Sequence, residues 1–183
     1  MQCIQTDIAD LLIFEPRLFS DDRGLFFESF HHQKFNEMVG RDVQFVQDNE
    51  SVSKAMVVRG LHFQAPPFAQ GKLVRVISGK VLDVAVDIRK DSATYGKSVV
   101  VELSAENRRQ FWIPEGFAHG FVCLEEGTIF QYKCTNYYHQ PSEESLLWND
   151  PELNIDWGIS DKSAILSVKD AEAPNFNDFK SPF

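Results

Sequence analysis

Residues 72–88 read KLVRVISGKVLDVAVDI, and this stretch decides the fold. Its first part is rich in branched apolar residues and runs into Ser78-Gly79, a dipeptide typical of turns. After the turn, apolar residues recur with a period of two, so the even-numbered positions from Leu82 to Ile88 share one face of a strand. The pattern predicts two antiparallel strands joined as a hairpin.

Further short strands follow on the C-terminal side of this stretch. Each is rich in β-branched or aromatic residues and is bounded by turn residues. The predicted strands are Ser98 to Leu103, Gln110 to Ile113, Gly120 to Leu124 and Thr128 to Thr135. Many short strands at such intervals are typical of sandwiches and barrels, so the predicted fold class is mainly β.

The two ends of the chain differ from this centre. His31 to Val39 places Phe35, Met38 and Val39 on one side and stops at Gly40, which predicts a short accessory helix. The acidic tail from Asp150 to Phe183 carries too many apolar anchors for a free tail, and we expect it to pack on the strands. No repeat, low-complexity tract or linker interrupts residues 1–183, so one domain is predicted.

Composition excludes several classes of protein. The chain has 183 residues, a formal net charge of −9 and a pI near 5.0, which argues against binding nucleic acid by bulk charge. An anionic ligand must therefore meet a local basic pocket. No apolar run approaches the roughly 18 residues of a membrane helix, and no stretch resembles a signal peptide. Three cysteines without C-x-x-C spacing favour reduced thiols and a cytoplasmic location.

Two of the five histidines lie in unusual surroundings. His62 follows Gly60 within the segment RGLHFQ, where a strand delivers it beside a glycine that permits close approach of a ligand. Lys72 comes ten residues later, so we expect it across a strand pair from His62. His119 lies in the segment PEGFAHG, a turn followed by a strand. The remaining histidines, His31, His32 and His139, lie in polar stretches and are interpreted as surface residues.

These residues could perform proton transfer without a metal. His62 has an intrinsic pKa suited to a base, Tyr132 could donate a proton, and Lys72 could stabilise an oxyanion. Asp170 could hold the imidazole. The residues alone favour simpler interpretations, in which Tyr132 is a core aromatic and Asp170 a solvated tail carboxylate.

Other motifs fail when their positions are checked. A phosphate-binding loop ending at Gly96-Lys97-Ser98 would need glycine where Asp91 stands, and no dinucleotide, hydrolase-elbow or zincin motif occurs. Pro114-x-Gly116-x-x-His119 matches half of a cupin metal signature. The other half reads His62-Phe63-Gln64, without the second histidine or the glutamate. Two histidines are fewer than a tight site needs, so no metal is predicted.

Ordered blocks along nearly the whole chain carry a resemblance to a known family. They are residues 19–28, 45–51, 59–64, 70–76, 83–89, 113–121, 132–135 and 167–170. The chain resembles the dTDP-4-dehydrorhamnose 3,5-epimerases, a branch of the cupin superfamily. This resemblance implies a cupin-type double-stranded jelly roll with short accessory helices.

The resemblance also implies a reaction without metal or cofactor. The enzyme would invert C3 and C5 of dTDP-4-dehydro-6-deoxy-D-glucose to give dTDP-4-dehydro-L-rhamnose. The C4 ketone acidifies the hydrogens on both carbons, so a base can form an enolate and an acid can protonate the opposite face. By resemblance, His62 is the base held by Asp170, Tyr132 is the acid, and Lys72 lies near the C4 oxygen.

The family pattern further assigns substrate contacts. Arg23, Arg59 and His119 match positions that contact the diphosphate and sugar. Positions associated with the nucleoside are matched by Phe26, Glu28, Gln47, Asn49 and the aromatic Tyr138. Glu143 and Lys169 match other substrate-contacting positions.

Family members are typically homodimers whose N-terminal strands cross to the partner, so Arg23 and Phe26 would serve the other subunit's site. Three alternatives stay open from the sequence. The first is an epimerase of the same fold that inverts only C3 or only C5 of a related nucleotide-4-keto-6-deoxysugar. The second is a non-catalytic sugar-nucleotide-binding cupin, and the third is a metal-dependent cupin oxygenase.

Overall fold

The computed structural model describes residues 1–183 and is built mainly from β-strands. The strands are β1 (Gln2–Gln5), β2 (Leu12–Glu15), β3 (Phe19–Asp21), β4 (Gly24–Phe26), β5 (Gln47–Ser53), β6 (Val58–Gln64), β7 (Lys72–Ser78), β8 (Lys80–Asp87), β9 (Ser98–Ser104), β10 (Gln110–Ile113), β11 (Phe117–Cys123), β12 (Thr128–Cys134) and β13 (Glu143–Ser145). The helices are α1 (His32–Val39) and α2 (Val168–Ala171), with 3₁₀ turns at Gln140–Ser142, Asp161–Ser163 and Phe176–Asp178. Neither helix has the length and apolar composition that a membrane-spanning helix needs.

Two sheets face each other across the main core. The six-stranded sheet has the order β1-β2-β10-β7-β12-β5, and the five-stranded sheet has the order β13-β6-β11-β8-β9. A separate hairpin, β3–β4, belongs to neither sheet. Buried side chains from both sheets meet in one cluster, which is the packing of a β-sandwich.

The prediction of a hairpin at residues 72–88 is wrong, because its two strands form but do not pair with each other. β7 pairs with β10 and β12, whereas β8 pairs with β11 and β9, so the turn carries the chain from one sheet to the other. Gly79 makes this turn with φ of 81°, and a Cβ there would lie 2.3 Å from the Thr128 hydroxyl oxygen. Both faces of β8 are buried, because its odd-numbered residues pack against the other sheet and its even-numbered residues lie outside the sandwich under the tail.

The other predicted strands are confirmed, with small differences at their ends. β10 has the predicted bounds, β9 and β12 differ from the prediction by one residue at the C-terminal end, and β11 starts earlier, at Phe117. The predicted helix is also confirmed, because α1 is capped by His31 and ends at Gly40 with φ of 77°. Its buried Phe35 packs edge-on against Trp112, which attaches α1 to the outer face of the six-stranded sheet.

The tail packs on the outer face of the five-stranded sheet, as predicted. The Trp157 indole donates to the Trp148 carbonyl at 2.8 Å, and the ring of Phe179 lies 5.6 Å from that of Phe63 on β6. Farther on, Ile165 forms a parallel bridge with Val57, the residue before β6. The tail thereby brings α2 into contact with β6.

The space between the sheets has two parts with different linings. In the closed half, β7 and β10 contact β9 across the sandwich, and buried apolar side chains fill the gap. The closed half is defined by Val74, Val76, Val101, Leu103 and Phe111. In the open half, β5, β12 and the start of β7 face β6 and β11 across a cavity.

Candidate active site

The open half contains a cavity of about 290 Å³, and most of the residues that line it are polar or charged. Its walls come from both sheets and from the tail. Eight of the residues predicted from the sequence line it: Arg59, His62, Lys72, His119, Tyr132, Glu143, Lys169 and Asp170. A smaller adjoining cavity of about 90 Å³ shares several of these residues and is lined in addition by Gln47, Asn49 and Tyr138.

His62 and Asp170 form a short hydrogen-bonded pair at the wall of the cavity. The imidazole Nε2 lies 2.5 Å from Asp170 Oδ1, so Nδ1 is the nitrogen that has no protein partner. Asp170 is only 3% exposed, and the interpretation of this residue as a solvated tail charge is therefore wrong. Burial would raise the pKa of Asp170, but the hydrogen bonds from His62 and Ser167 hold it below its usual value.

Lys72 faces His62 from the opposite sheet, because it begins β7 while His62 lies on β6. The expectation that they lie across a strand pair is wrong, yet both line the same cavity. The Lys72 ammonium lies 6.0 Å from the centre of the Tyr132 ring. Burial lowers the pKa of Lys72, and nearby acidic groups, including Asp83 and Glu143, oppose that shift.

Tyr132 lies beside Lys72 on the neighbouring strand β12 and lines both cavities. Its ring packs against the main core, so the interpretation as a core aromatic describes part of its role. Burial raises the pKa of the Tyr132 phenol, which keeps the proton on this group at neutral pH. A protonated phenol on one wall thus faces an imidazole on the other.

His119 is held by a buried carboxylate below the cavity floor. Its Nε2 lies 3.1 and 3.0 Å from the two carboxylate oxygens of Asp83, and both residues are buried. Burial lowers the pKa of His119 and raises that of Asp83. His119 is also the direct cross-strand neighbour of His62. The His119–Asp83 pair therefore fixes the part of the cavity wall next to His62.

Three further charged side chains line the cavity, those of Glu143, Lys169 and Arg59. Glu143 accepts hydrogen bonds from the Tyr138 hydroxyl at 2.9 Å and forms an ion pair with Lys169 at 2.6 Å. Burial would raise the pKa of Glu143, but the bonds from Lys169 and Tyr138 lower it on balance. Arg59 is exposed and donates through Nε to the Ser53 hydroxyl at 3.2 Å, which leaves the rest of its guanidinium unpaired.

The smaller cavity is lined by amide side chains of β5. Gln47 donates to the Asn49 side-chain oxygen at 3.0 Å, and the Gln47 oxygen accepts the backbone N–H of Tyr138 at 2.9 Å. Amide groups beside an aromatic side chain can hydrogen-bond and stack a planar heterocycle. The larger cavity thus offers cationic side chains, and the smaller one adds amide and aromatic groups beside them.

Three of the predicted site residues lie away from both cavities within this chain. Arg23 is paired with Asp21, Glu28 is paired with Lys34, and Phe26 is 71% exposed. Arg23 and Phe26 belong to the β3–β4 hairpin, and Glu28 follows it. The chain alone does not bring these side chains to the site.

No group of three His, Cys, Asp or Glu side chains lies close enough together to hold a metal ion. The two histidines of the partial cupin signature each bind a carboxylate through Nε2, His62 to Asp170 and His119 to Asp83. The donor set of this cavity therefore differs from that of a metal-binding cupin.

A family model described as dTDP-4-dehydrorhamnose 3,5-epimerase matches residues 5–178. The chain belongs to this family. It is 60% identical over 174 residues to the dTDP-4-dehydrorhamnose 3,5-epimerase of Salmonella typhimurium, covering 95% of this chain and 94% of that protein. The predicted resemblance is confirmed.

Solved structures of the epimerase family share the fold. The Legionella pneumophila dTDP-6-deoxy-D-glucose-3,5-epimerase, solved in complex with dTDP-4-keto-L-rhamnose, has a TM-score of 0.94 at 50% identity and covers 98% of this chain and 94% of its own. The 3'-monoepimerase of Streptomyces bikiniensis, in complex with dTDP-quinovose, has a TM-score of 0.88 at 32% identity over 93% of this chain and 85% of its own. The predicted mainly β, cupin-type jelly roll with short accessory helices is confirmed.

Sequence reasoning overlooked three polar residues at this epimerase-family site. Asp83 interrupts the apolar residues of β8, and a charge in a strand that is buried on both faces is the signal that could have identified it. Ser51 lines the cavity with a buried hydroxyl that has no hydrogen-bond partner in the chain. Ser167 precedes Asp170 by three residues, the spacing of a helix cap.

Proposed function

We propose that this protein converts dTDP-4-dehydro-6-deoxy-D-glucose into dTDP-4-dehydro-L-rhamnose by inverting C3 and C5, without a metal or cofactor, as one domain. The observation that carries the proposal is the pairing across one cavity of a carboxylate-bound imidazole with a protonated phenol. Inversion needs a proton acceptor on one face of a carbon and a proton donor on the other. His62 and Tyr132 belong to opposite sheets and meet that requirement.

Each inversion proceeds by one proton removal and one proton return. His62 takes the proton from the carbon beside the C4 ketone through Nδ1, and the C–H electron pair moves into an enolate whose charge rests on the C4 oxygen. Lys72 lines the cavity, and its positive charge stabilises this oxyanion. Tyr132 then protonates the opposite face, and exchange with solvent restores both groups. The same steps at the second carbon complete the reaction.

Binding of the nucleotide uses the remaining lining residues. Arg59, His119 and Lys169 hold the diphosphate and sugar, which explains how a chain of net charge −9 accepts an anionic substrate. Gln47, Asn49 and Tyr138 hold the thymine, and Glu143 positions Lys169 and Tyr138 through its two contacts.

The active unit is a homodimer in which Arg23, Phe26 and Glu28 complete the partner's site. Support comes from the exposed β3–β4 hairpin and from β5, the edge strand next to the cavity, on which Val52 is 65% exposed. The proposed location is the cytoplasm, in keeping with three free cysteines, two of them buried.

A solvent-exchange experiment tests the reaction. The protein is mixed with dTDP-4-keto-6-deoxyglucose in deuterated water containing a chelator, and a 4-ketoreductase traps the product. Deuterium at both C3 and C5 with an L-rhamnose-configured product is expected. Deuterium at one carbon with a singly inverted product would assign the single-centre reaction, and binding without exchange would leave a binding module.

Mixed dimers test the shared site. Arg23→Ala and His62→Ala are each expected to be nearly inactive, and a mixed dimer of the two contains one site with an intact His62 and an intact Arg23 from the partner. Activity should therefore reappear after the two variants exchange subunits. No gain on mixing would place Arg23 in the site of its own chain, and full activity of Arg23→Ala alone would place it outside any site.

A further inference from the structure

The carboxylate of Asp170 has two oxygens, and each has one side-chain partner. Oδ1 contacts His62 Nε2 at 2.5 Å, and Oδ2 accepts the hydroxyl of Ser167 at 2.8 Å. Ser167 in turn accepts the backbone N–H of Asp170 at 3.1 Å. The serine and the aspartate therefore form a reciprocal pair, and Ser167 lines the cavity beside it.

The local backbone gives Asp170 little support of its own. α2 spans only Val168–Ala171 and is reached through the tail rather than through either sheet. The terminal torsion of an aspartate side chain has a broad profile, so the backbone position alone does not fix the plane of the carboxylate. Ser167 supplies the only other side-chain hydrogen bond to this group.

The orientation of the carboxylate matters for the base. When Oδ1 accepts the proton of Nε2, the imidazole is held in the tautomer whose Nδ1 lone pair is free to take a proton. A carboxylate that rotates away from Nε2 no longer specifies that tautomer. The loss would affect the proton-transfer step and leave the contacts to the nucleotide in place.

We propose that Ser167 is a positioning residue that fixes the Asp170 carboxylate and, through it, the base tautomer of His62. The inference rests on the proposed function. It assigns to Ser167 a role beyond capping α2, namely closing the chain of hydrogen bonds Ser167–Asp170–His62 from the side of the tail.

The test compares three serine variants. Ser167→Ala is expected to lower kcat about 10-fold or more, the scale of a lost hydrogen bond to a charged group, with KM within about twofold. Ser167→Thr retains the hydroxyl and should stay within about threefold of the parent protein. Ser160→Ala is the matched control, because Ser160 caps the 3₁₀ turn at Asp161–Ser163 in the same tail and does not line the cavity.

Two further measurements separate positioning from simple loss of structure. In an Asp170→Ala background, Ser167→Ala should cost less than about twofold, because its effect acts through the missing carboxylate. The low-field proton resonance of the His62 Nε2–H, monitored in the resting protein, should persist in Ser167→Thr and broaden or shift in Ser167→Ala.

The proposal is overturned if Ser167→Ala matches Ser160→Ala in kcat, if Thr fails to rescue, or if the loss persists undiminished in the Asp170→Ala background. These outcomes are distinct from failure of the proposed function. If the proposed function fails, the parent protein itself would show no deuterium incorporation at C3 or C5.

Discussion

The open and closed halves of the sandwich meet within single strands. On β7, Lys72 faces the cavity while Val74 and Val76 face the core, and on β12 Tyr132 is followed inward by Phe130. Inward-facing positions of one strand thus change from apolar to polar within two residues. The comparison teaches that the candidate site is a region of the core in which the sheets separate and polar residues replace apolar ones.

The largest expected effect is in the open half. His62→Ala should lower epimerisation by roughly 10⁴-fold, because no other cavity group is assigned to remove the proton. Deuterium incorporation at C3 and C5 measures the loss directly. His32→Ala on the exposed face of α1 is the control and should retain full activity. Near-normal exchange in His62→Ala would refute the assignment of the base.

The matching change in the closed half should reduce stability and spare catalysis. Phe111→Ala removes a fully buried ring from the main core and should cost about 4 kcal/mol of unfolding free energy. Urea denaturation measures this cost. The folded fraction should keep the kcat of the parent protein. A large drop in kcat per folded molecule would show that the two halves are not separable.

Substitutions of Lys72 test how much its positive charge contributes to catalysis in the open half. Lys72→Met keeps the apolar stem but removes the charge, and kcat should fall about 10²- to 10³-fold. Since burial lowers the pKa of Lys72, the parent enzyme should lose activity on the alkaline side below the usual lysine range, as the ammonium deprotonates. In Lys72→Arg, residual activity should extend to higher pH. An unchanged alkaline limb would assign it to another group.

The Tyr132→Phe variant should separate inversion of the sugar carbon from exchange of its proton with solvent. Tyr132→Phe should lower product formation about 10²-fold and leave the affinity for dTDP within about threefold. Because His62 remains, deuterium should still enter the substrate from the His62 face without inversion. Loss of affinity with unchanged turnover would make Tyr132 a binding residue instead.

The smallest expected effect concerns Asp87, which shares one face of β8 with Asp83 but has a different environment. Asp83 lies against His119 in the open half, whereas Asp87 accepts bonds from Arg89, Ser92 and Thr94 in the following loop. Burial would raise the pKa of Asp87, but these bonds, that from Arg89 foremost, lower it to about 2.

A lowered folded-state pKa stabilises the protein above the usual pKa of aspartate, and this contribution disappears as the pH falls from about 4 to about 2. Asp87→Asn should therefore cost about 2 kcal/mol of unfolding free energy at pH 7, with a smaller difference at lower pH. Denaturation curves across that range measure it, and kcat should not change. A pH-independent difference would assign the cost to packing.

The strands were predictable from the sequence because alternation and turn residues are local signals. Their pairing was not, since Ser78-Gly79 fits a hairpin as well as a crossing between sheets, and only the distant β10, β11 and β12 decide between them. His62, Lys72 and Tyr132 could be nominated by chemistry, but their roles came from the family resemblance.

Other parts of the site depend on contacts that no local pattern specifies. The burial of Asp170 requires the whole tail to fold back over β6, and 108 residues separate it from His62. Asp83 and Ser167 acquire their surroundings in the same way. The contribution of Arg23, Phe26 and Glu28 stays a prediction, because it depends on a second chain.

The position of α2 in the tail also has a consequence for biosynthesis. During translation, every strand of both sheets emerges before Ser167 and Asp170, since β13 ends at Ser145. When the last strand emerges, Lys72 and Tyr132 already lie within the emerged chain, while His62 still lacks its carboxylate. The His62–Asp170 pair is thus the last part of the proposed catalytic set to become available during synthesis.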